Sequence, residues 1–217
     1  MCLDSSPDRW GRTLIKRREA ILARKEGREV RKLYESDYLL GVYDGTRMGA
    51  LRFKVDPTGS FLDDNASLAT PPWSSIRDLE YACAQYENNI EKTDYNESEK
   101  WLNMLFRPGS SLGGARPKAN VRDTKNNLWI VKFPSQNDKI DMGAWENLAA
   151  NLAVRCGINY PEHGAQAFLG KQHSFYVKRF DRTHNGTRIQ MASAMTLLGY
   201  SDGDNSDSGV SSLELAE

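Results

Sequence analysis

The sequence predicts an α+β protein with an antiparallel sheet. Helical apolar periodicity appears in two separate stretches, and short β-rich runs come in pairs that meet across turn residues instead of alternating singly with helices. The composition suits a folded chain: 217 residues, 39% hydrophobic and 27% charged, with a mean hydropathy of -0.63.

The first helix of the pattern is marked by Ile76, Leu79, Cys83, Tyr86 and Ile90, whose 3-4-3-4 spacing lays one apolar stripe along about five turns, with Ser74 and Ser75 as candidate caps. The second carries Met142, Trp145, Ala149, Leu152 and Cys156 at the same spacing, opens at Asp141 and stops at Gly157, so this stripe is expected to face the core. Residues 12–32 are helix-compatible and strongly basic, with only Leu14, Ile15, Ile21, Leu22 and Val30 to bury, so they must lean on another part of the protein or on a partner. Residues 37–43 and 47–55 flank Asp44 and Gly45, the two-residue chemistry of a tight hairpin. A second hairpin pairs 118–122 with 128–133, and a third pairs 165–169 with 174–180 around Gly170 and Lys171. Residues 201–212, rich in Ser, Asp and Gly, read as a loop.

Charge and cysteine usage bound the function class. Lys plus Arg and Asp plus Glu are both 29, so the whole chain offers no net field toward nucleic acid or membrane. The balance hides an asymmetry, with ten basic against five acidic residues in 1–34, and five acidic against no basic in 198–217. Both ends read as solvated faces. Cys2, Cys83 and Cys156 form no C-x-x-C, which argues for a reducing compartment over a disulfide or zinc scaffold. With no apolar run long enough for a signal peptide or a membrane span, the expected location is cytoplasmic, with no membrane partner.

The chemistry concentrates between residues 109 and 146. The stretch GSSLGGARPK at 109–118 combines glycines, which let backbone N–H groups approach a phosphate, with serines and a lysine. It is not a Walker A loop, because Ala115 and Arg116 stand where Lys and Ser/Thr are required, and a plain structural turn is the alternative. In the strand that follows, alternation puts Lys132 on the apolar face with Leu128 and Ile130, where a cation needs a partner or an anion. Glu146, at the edge of the next helix's stripe, can supply that partner. Glycine-rich turn, strand lysine and helix glutamate in this order make up the phosphate-handling apparatus of a protein-kinase small lobe. The alternative is a Lys132 that snorkels to water with Glu146 on the solvent side. His163, His173 and His184 lack metal-ligand spacing, Asp141 reads as a helix cap, and the basic helix with Arg12, Lys16, Arg17, Arg18, Arg24, Lys25 and Arg28 reads as solvated or partner-facing.

Six stretches together resemble the HipA-type toxin kinases, the serine/threonine protein kinases of bacterial toxin–antitoxin systems: PDRWGRTLIKRRE at 7–19, YLLGVYDGTRMGALRF at 38–53, SLGGARPK at 111–118, WIVKFP at 129–134, Glu146 with Asn147, and VKRFDR at 177–182. The resemblance implies a kinase small lobe at 107–200, preceded by a partial N-terminal region at 1–106 and followed at 201–217 by the start of a large lobe. It further implies that Ser111, Leu112, Gly113, Gly114, Ala115 and Lys118 form an ATP-phosphate loop and that Ser111 is an autophosphorylation site that switches activity off. Lys132 is then the phosphate-holding lysine, Glu146 its partner, and Lys178, Arg179 and Phe180 the adenine-contacting link between lobes. The family often has an acid where Lys178 stands, and it uses ATP with Mg, for which this fragment is expected to have weak affinity or none. Expected partners are a helix-turn-helix antitoxin and a protein substrate such as an aminoacyl-tRNA synthetase, with DNA reached only through the antitoxin. The family's catalytic and metal-binding aspartate motifs do not occur in this sequence, so the expectation is a chain truncated at both ends, without the large lobe and inactive alone. A catalytically inactive module that engages an antitoxin or a separately encoded lobe is the competing expectation.

Overall fold

The structure, a computed structural model, describes residues 2–62, 70–88, 101, 104–105, 114–201, 203–205, 207 and 209–215. In chain order come α1 (Cys2–Ser5), α2 (Arg9–Lys25), α3 (Glu35–Leu40), α4 (Ile76–Asn88), β1 (Lys118–Arg122), β2 (Leu128–Lys132), α5 (Met142–Arg155), β3 (His163–Gln166), β4 (Ser174–Lys178) and α6 (Ala194–Leu198). The four strands form one antiparallel sheet in the order β1-β2-β4-β3. The α+β reading therefore holds. Among the described residues no helix is long and apolar enough to cross a membrane.

Alternation divides the sheet into two working faces. Ala119, Val121, Trp129 and Val131 pack with Trp10 and Leu14 of α2 and with Ile76, Leu79, Ala82, Cys83 and Tyr86 of α4. Edge-on rings join these layers: Trp10 meets Tyr86 at 5.7 Å, and Trp73 meets Trp129 at 5.3 Å. The basic helix thus leans on the sheet of its own chain. It starts where the Asp8 carboxylate accepts from Gly11 N and turns off at Gly27, whose φ of +64° favours glycine. The helix expected over 12–32 consequently stops at Lys25, and Val30 is exposed. A 3-10 turn, Trp73–Ser75, leads into α4 where serine caps were expected, and Ile90 lies outside the described residues.

Two hairpins form as read, β1 with β2 and β3 with β4, the second starting two residues earlier than its sequence suggests. The Asp123 carboxylate organises the first turn by accepting from Lys125 N and Asn127 N, at 2.9 and 2.8 Å. The hairpin expected around Asp44 and Gly45 does not form. Residues 35–40 are helical, with the Asp37 side chain accepting from Tyr34 N at 2.8 Å, and Asp44–Thr46 is a 3-10 turn. Arg47 explains the failure: it is fully buried and donates to the carbonyls of Ser5, Leu39 and Val42. A side chain satisfies acceptors that a strand partner would otherwise have to meet.

Helix α5 is present, but its orientation corrects the sequence reading. Met142, Trp145, Leu152 and Cys156, expected in the core, are exposed, Trp145 by 58%. The buried positions are Gly143 and Ala150, and the helix lies on β3 and β4 through this small-residue face. Gly143 shows why. A Cβ there would fall 1.9 Å from the His173 carbonyl oxygen. Asp141 locks the same corner, its carboxylate accepting from Ala144 N and His173 N, both at 3.0 Å. Gly143→Ala must push α5 off the β3–β4 turn and is expected to cost about 1–3 kcal/mol or more, measured by urea unfolding with folded-state dispersion checked by NMR.

Candidate functional site

The sheet face opposite the core carries the charges. Lys118 and Lys132 stand directly across from each other on β1 and β2, so two ammonium groups share one surface and each needs an anion. Lys132 pairs with Glu146 of α5. The two side chains are 29% and 31% exposed, and Lys132 Nζ lies 5.7 Å from the centre of the Phe175 ring. Glu146 follows Gly143 by three residues and precedes Ala150 by four, so it belongs to the small-residue face that seats the helix. Glu146 thus meets Lys132 and does not point away from it.

Lys118 has a partner that sequence reasoning missed. Its ammonium donates to Asp8 Oδ2 at 2.7 Å and to the Gly114 carbonyl at 3.1 Å. The side chains of Lys118 and Asp8 are 1% and 3% exposed. Burial pushes the Asp8 carboxyl up against the opposing pull of Lys118, and burial pushes the Lys118 ammonium down. The loop end is tied to α2 through the backbone as well: Trp10 N donates to Gly114 O, and Trp10 Nε1 to Lys118 O. The signal that could have found Asp8 is its place one residue before a helix, since a cap carboxylate with two oxygens can serve a second donor.

Gly114 and Ala115 are exposed at the loop end, and Gly114 has a φ of +103°. Ser111, Leu112 and Gly113 lie outside the described residues. A cleft of about 550 Å³ opens beside the loop, lined by Asp8, Arg9, Arg12, Gly114, Phe180 and Met195 among others. The cleft therefore joins the loop end to the segment after β4.

That segment splits by side. Phe180 is 54% exposed and faces the cleft. The backbone N–H of Lys178 donates to Glu162 O, and that of Arg179 to Leu128 O. Those two donors are therefore engaged within the sheet and are not presented to an adenine. The Lys178 ammonium pairs with Glu162 at 2.6 Å on the far side. Arg179 is buried, donating to Asp181, to Asn120 Oδ1 and to the carbonyl of Thr46. Asp181 is fully buried and also takes Arg182 and Gly49 N. Although burial raises it, the Asp181 carboxyl is held below the usual range by the hydrogen bond and charge of Arg179. Neither Arg179 nor Lys178 reaches the cleft, and of the three link residues only Phe180 does.

Two of the three histidines make structural contacts and the third lies at the surface. His163 Nδ1 lies 2.8 Å from Pro161 O, His173 Nδ1 lies 2.5 Å from Asp141, and His184 is exposed. Among the described residues no group of three His, Cys, Asp or Glu could hold a metal ion.

Burial separates the two kinds of ion pair energetically. Glu146→Gln should change folding stability by no more than about 1 kcal/mol, because the pair is partly solvated. Asp181→Ala should cost about 3–5 kcal/mol, because it leaves Arg179 and Arg182 buried around an absent charge. Urea denaturation of the two variants measures the contrast.

Comparison with known proteins adds one finding. No curated protein and no solved structure matches the chain. The segment that holds Lys118, Lys132, Glu146 and Phe180 is HipA-like, since residues 110–217 match the family model of the HipA-like C-terminal domain.

Proposed function

We propose that this chain is the nucleotide-holding part of a HipA-type serine/threonine protein kinase. The observation that carries the reading is the Lys132–Glu146 pair inside the HipA-like segment. The Lys132 ammonium is held by the carboxylate, its side chain is 29% exposed, and an ammonium has three N–H donors, so a phosphate can be met by a donor that Glu146 does not use. Gly114 and Ala115 are exposed at the end of the loop, and Phe180 offers its ring to the cleft that Gly114 also lines, for a base to stack on. In this reading Lys132 and the loop end take the phosphates and Phe180 takes one face of the base. ATP, when bound, supplies the phosphoryl group. The part proposed for this chain's residues is to bind and orient the nucleotide.

Ser111 completes the reading as the autophosphorylation site. A phosphate there adds about -1.5 to -2 charge beside a loop that otherwise receives ATP phosphates, and repulsion turns binding off. The partners that accompany this function are a helix-turn-helix antitoxin and a protein substrate such as an aminoacyl-tRNA synthetase, met in the cytoplasm. DNA is reached only through the antitoxin.

A second reading is favoured by α5. Met142, Trp145, Leu148 and Leu152 make an apolar outer face on one helix, as suits an inactive module that docks on an antitoxin or on a separately encoded lobe. Nucleotide affinity separates the two. Isothermal titration with a non-hydrolysable ATP analogue should give measurable binding, and Lys132→Ala should weaken it about tenfold or more, the value of a hydrogen bond to a charged group. Equal binding by wild type and Lys132→Ala would remove the kinase reading.

A further inference from the structure

Lys118 belongs to the loop that is expected to receive phosphates, yet a carboxylate already occupies it. Asp8 Oδ2 accepts from Lys118 Nζ at 2.7 Å while Asp8 Oδ1 accepts from Gly11 N at 2.7 Å. A lysine ammonium is the donor that a phosphate oxygen would take, while the first-turn amide of a 17-residue helix is what holds the Asp8 carboxylate in place. Asp8 and Gly114, the two partners of Lys118, both line the cleft that opens toward Phe180. Lys132 stands across the hairpin. Two anions on one ammonium leave a net negative charge in a site this poorly hydrated, which is costly, so an incoming phosphate and the Asp8 carboxylate compete.

Resting on the nucleotide-holding reading above, we propose that the Asp8 carboxylate is an internal occupant of the phosphate site, which holds Lys118 in the nucleotide-free chain and yields it to an incoming phosphate. The exchange makes and breaks no covalent bond. It does reach beyond the site, because the displaced carboxylate is also the cap of α2. Phosphate binding loosens the first turn of α2, and by linkage whatever loosens that turn tightens phosphate binding by the same factor. The N-terminal helix thereby regulates the loop.

The test uses the full chain, metal-free pyrophosphate and ADP, isothermal titration, and amide hydrogen exchange at Gly11. Asp8→Asn keeps an oxygen for the cap and removes the charge. It should bind pyrophosphate about tenfold or more tighter than wild type, as expected when the competent state no longer has to be freed. Lys118→Met added to Asp8→Asn should abolish the gain. In the wild type, saturating pyrophosphate should speed exchange at Gly11. Pyrophosphate binding by Asp8→Asn no tighter than wild type, with Lys132→Ala still weakening the ATP analogue, would overturn the exchange and leave the clamp standing. No binding of either ligand by any variant at millimolar concentration would remove both. Should Asp8→Asn fail to fold, the wild type decides: exchange at Gly11 that rises on binding supports the proposal, and exchange that stays unchanged overturns it.

Discussion

The closest constraint in the molecule is the seating of α5 on the turn before β4. Gly143 has room for a hydrogen and for nothing larger against the His173 carbonyl, and Asp141 fastens the helix start to the backbone of the same residue. Glu146 comes three residues later, less than one turn along the axis. Its distance from β2 is therefore set by how near the helix backbone lies to the sheet. A small-residue face facing inward forces the bulky residues outward, so exposure of Met142, Trp145 and Leu152 follows from the same contact that brings Glu146 to Lys132. The charged pair and the apolar outer surface are two consequences of one close approach.

The other end of the sheet is held differently. After β4 the side chains of Arg179 and Asp181 turn inward and Phe180 outward. The inward pair collects acceptors and donors from segments more than 130 positions away in sequence: Arg179 reaches the Thr46 carbonyl at 2.6 Å, and Asp181 receives Gly49 N at 2.8 Å. Buried ion pairs of this kind contribute little net stability relative to apolar packing, because desolvation offsets most of the attraction. Their effect is to hold residues 44–49 against the end of the sheet. Phe180 is aimed into the cleft because both of its neighbours in alternation are anchored.

How much of this was legible depended on the range over which each feature is decided. The hairpin of β1 and β2 was readable because Asp123, Asn126 and Asn127 determine the turn locally and the strands are β-rich. Lys132 and Glu146 were readable because 14 residues of strand, turn and helix connect them. The hairpin around Asp44 was misread because Asp and Gly signal a reversal without stating its flanks, and the deciding group was the side chain of Arg47, which satisfies carbonyls in place of a strand. The face of α5 was misread because large apolar residues outweigh small ones in any periodicity, whereas the steric limit at Gly143 comes from a carbonyl 30 residues further on. Asp8 was missed for the same reason at greater range, its partner lying 110 residues away.

That difference in range also separates the two lysines in what they can do. Lys132 draws its carboxylate from the same HipA-like segment and keeps about a third of its side chain in contact with solvent. In the proposed reading an anion adds to it while the glutamate stays in place. Lys118 draws its carboxylate from the N-terminal part of the chain and is sealed at 1% exposure, so an anion can only replace what is there. One cation is thus held ready and the other is held closed, and the group that closes it is the cap of a helix packed on the opposite face of the sheet. Under the proposed exchange, a site with one open and one closed cation responds to the N-terminal helix in a way that a site with two open cations would not.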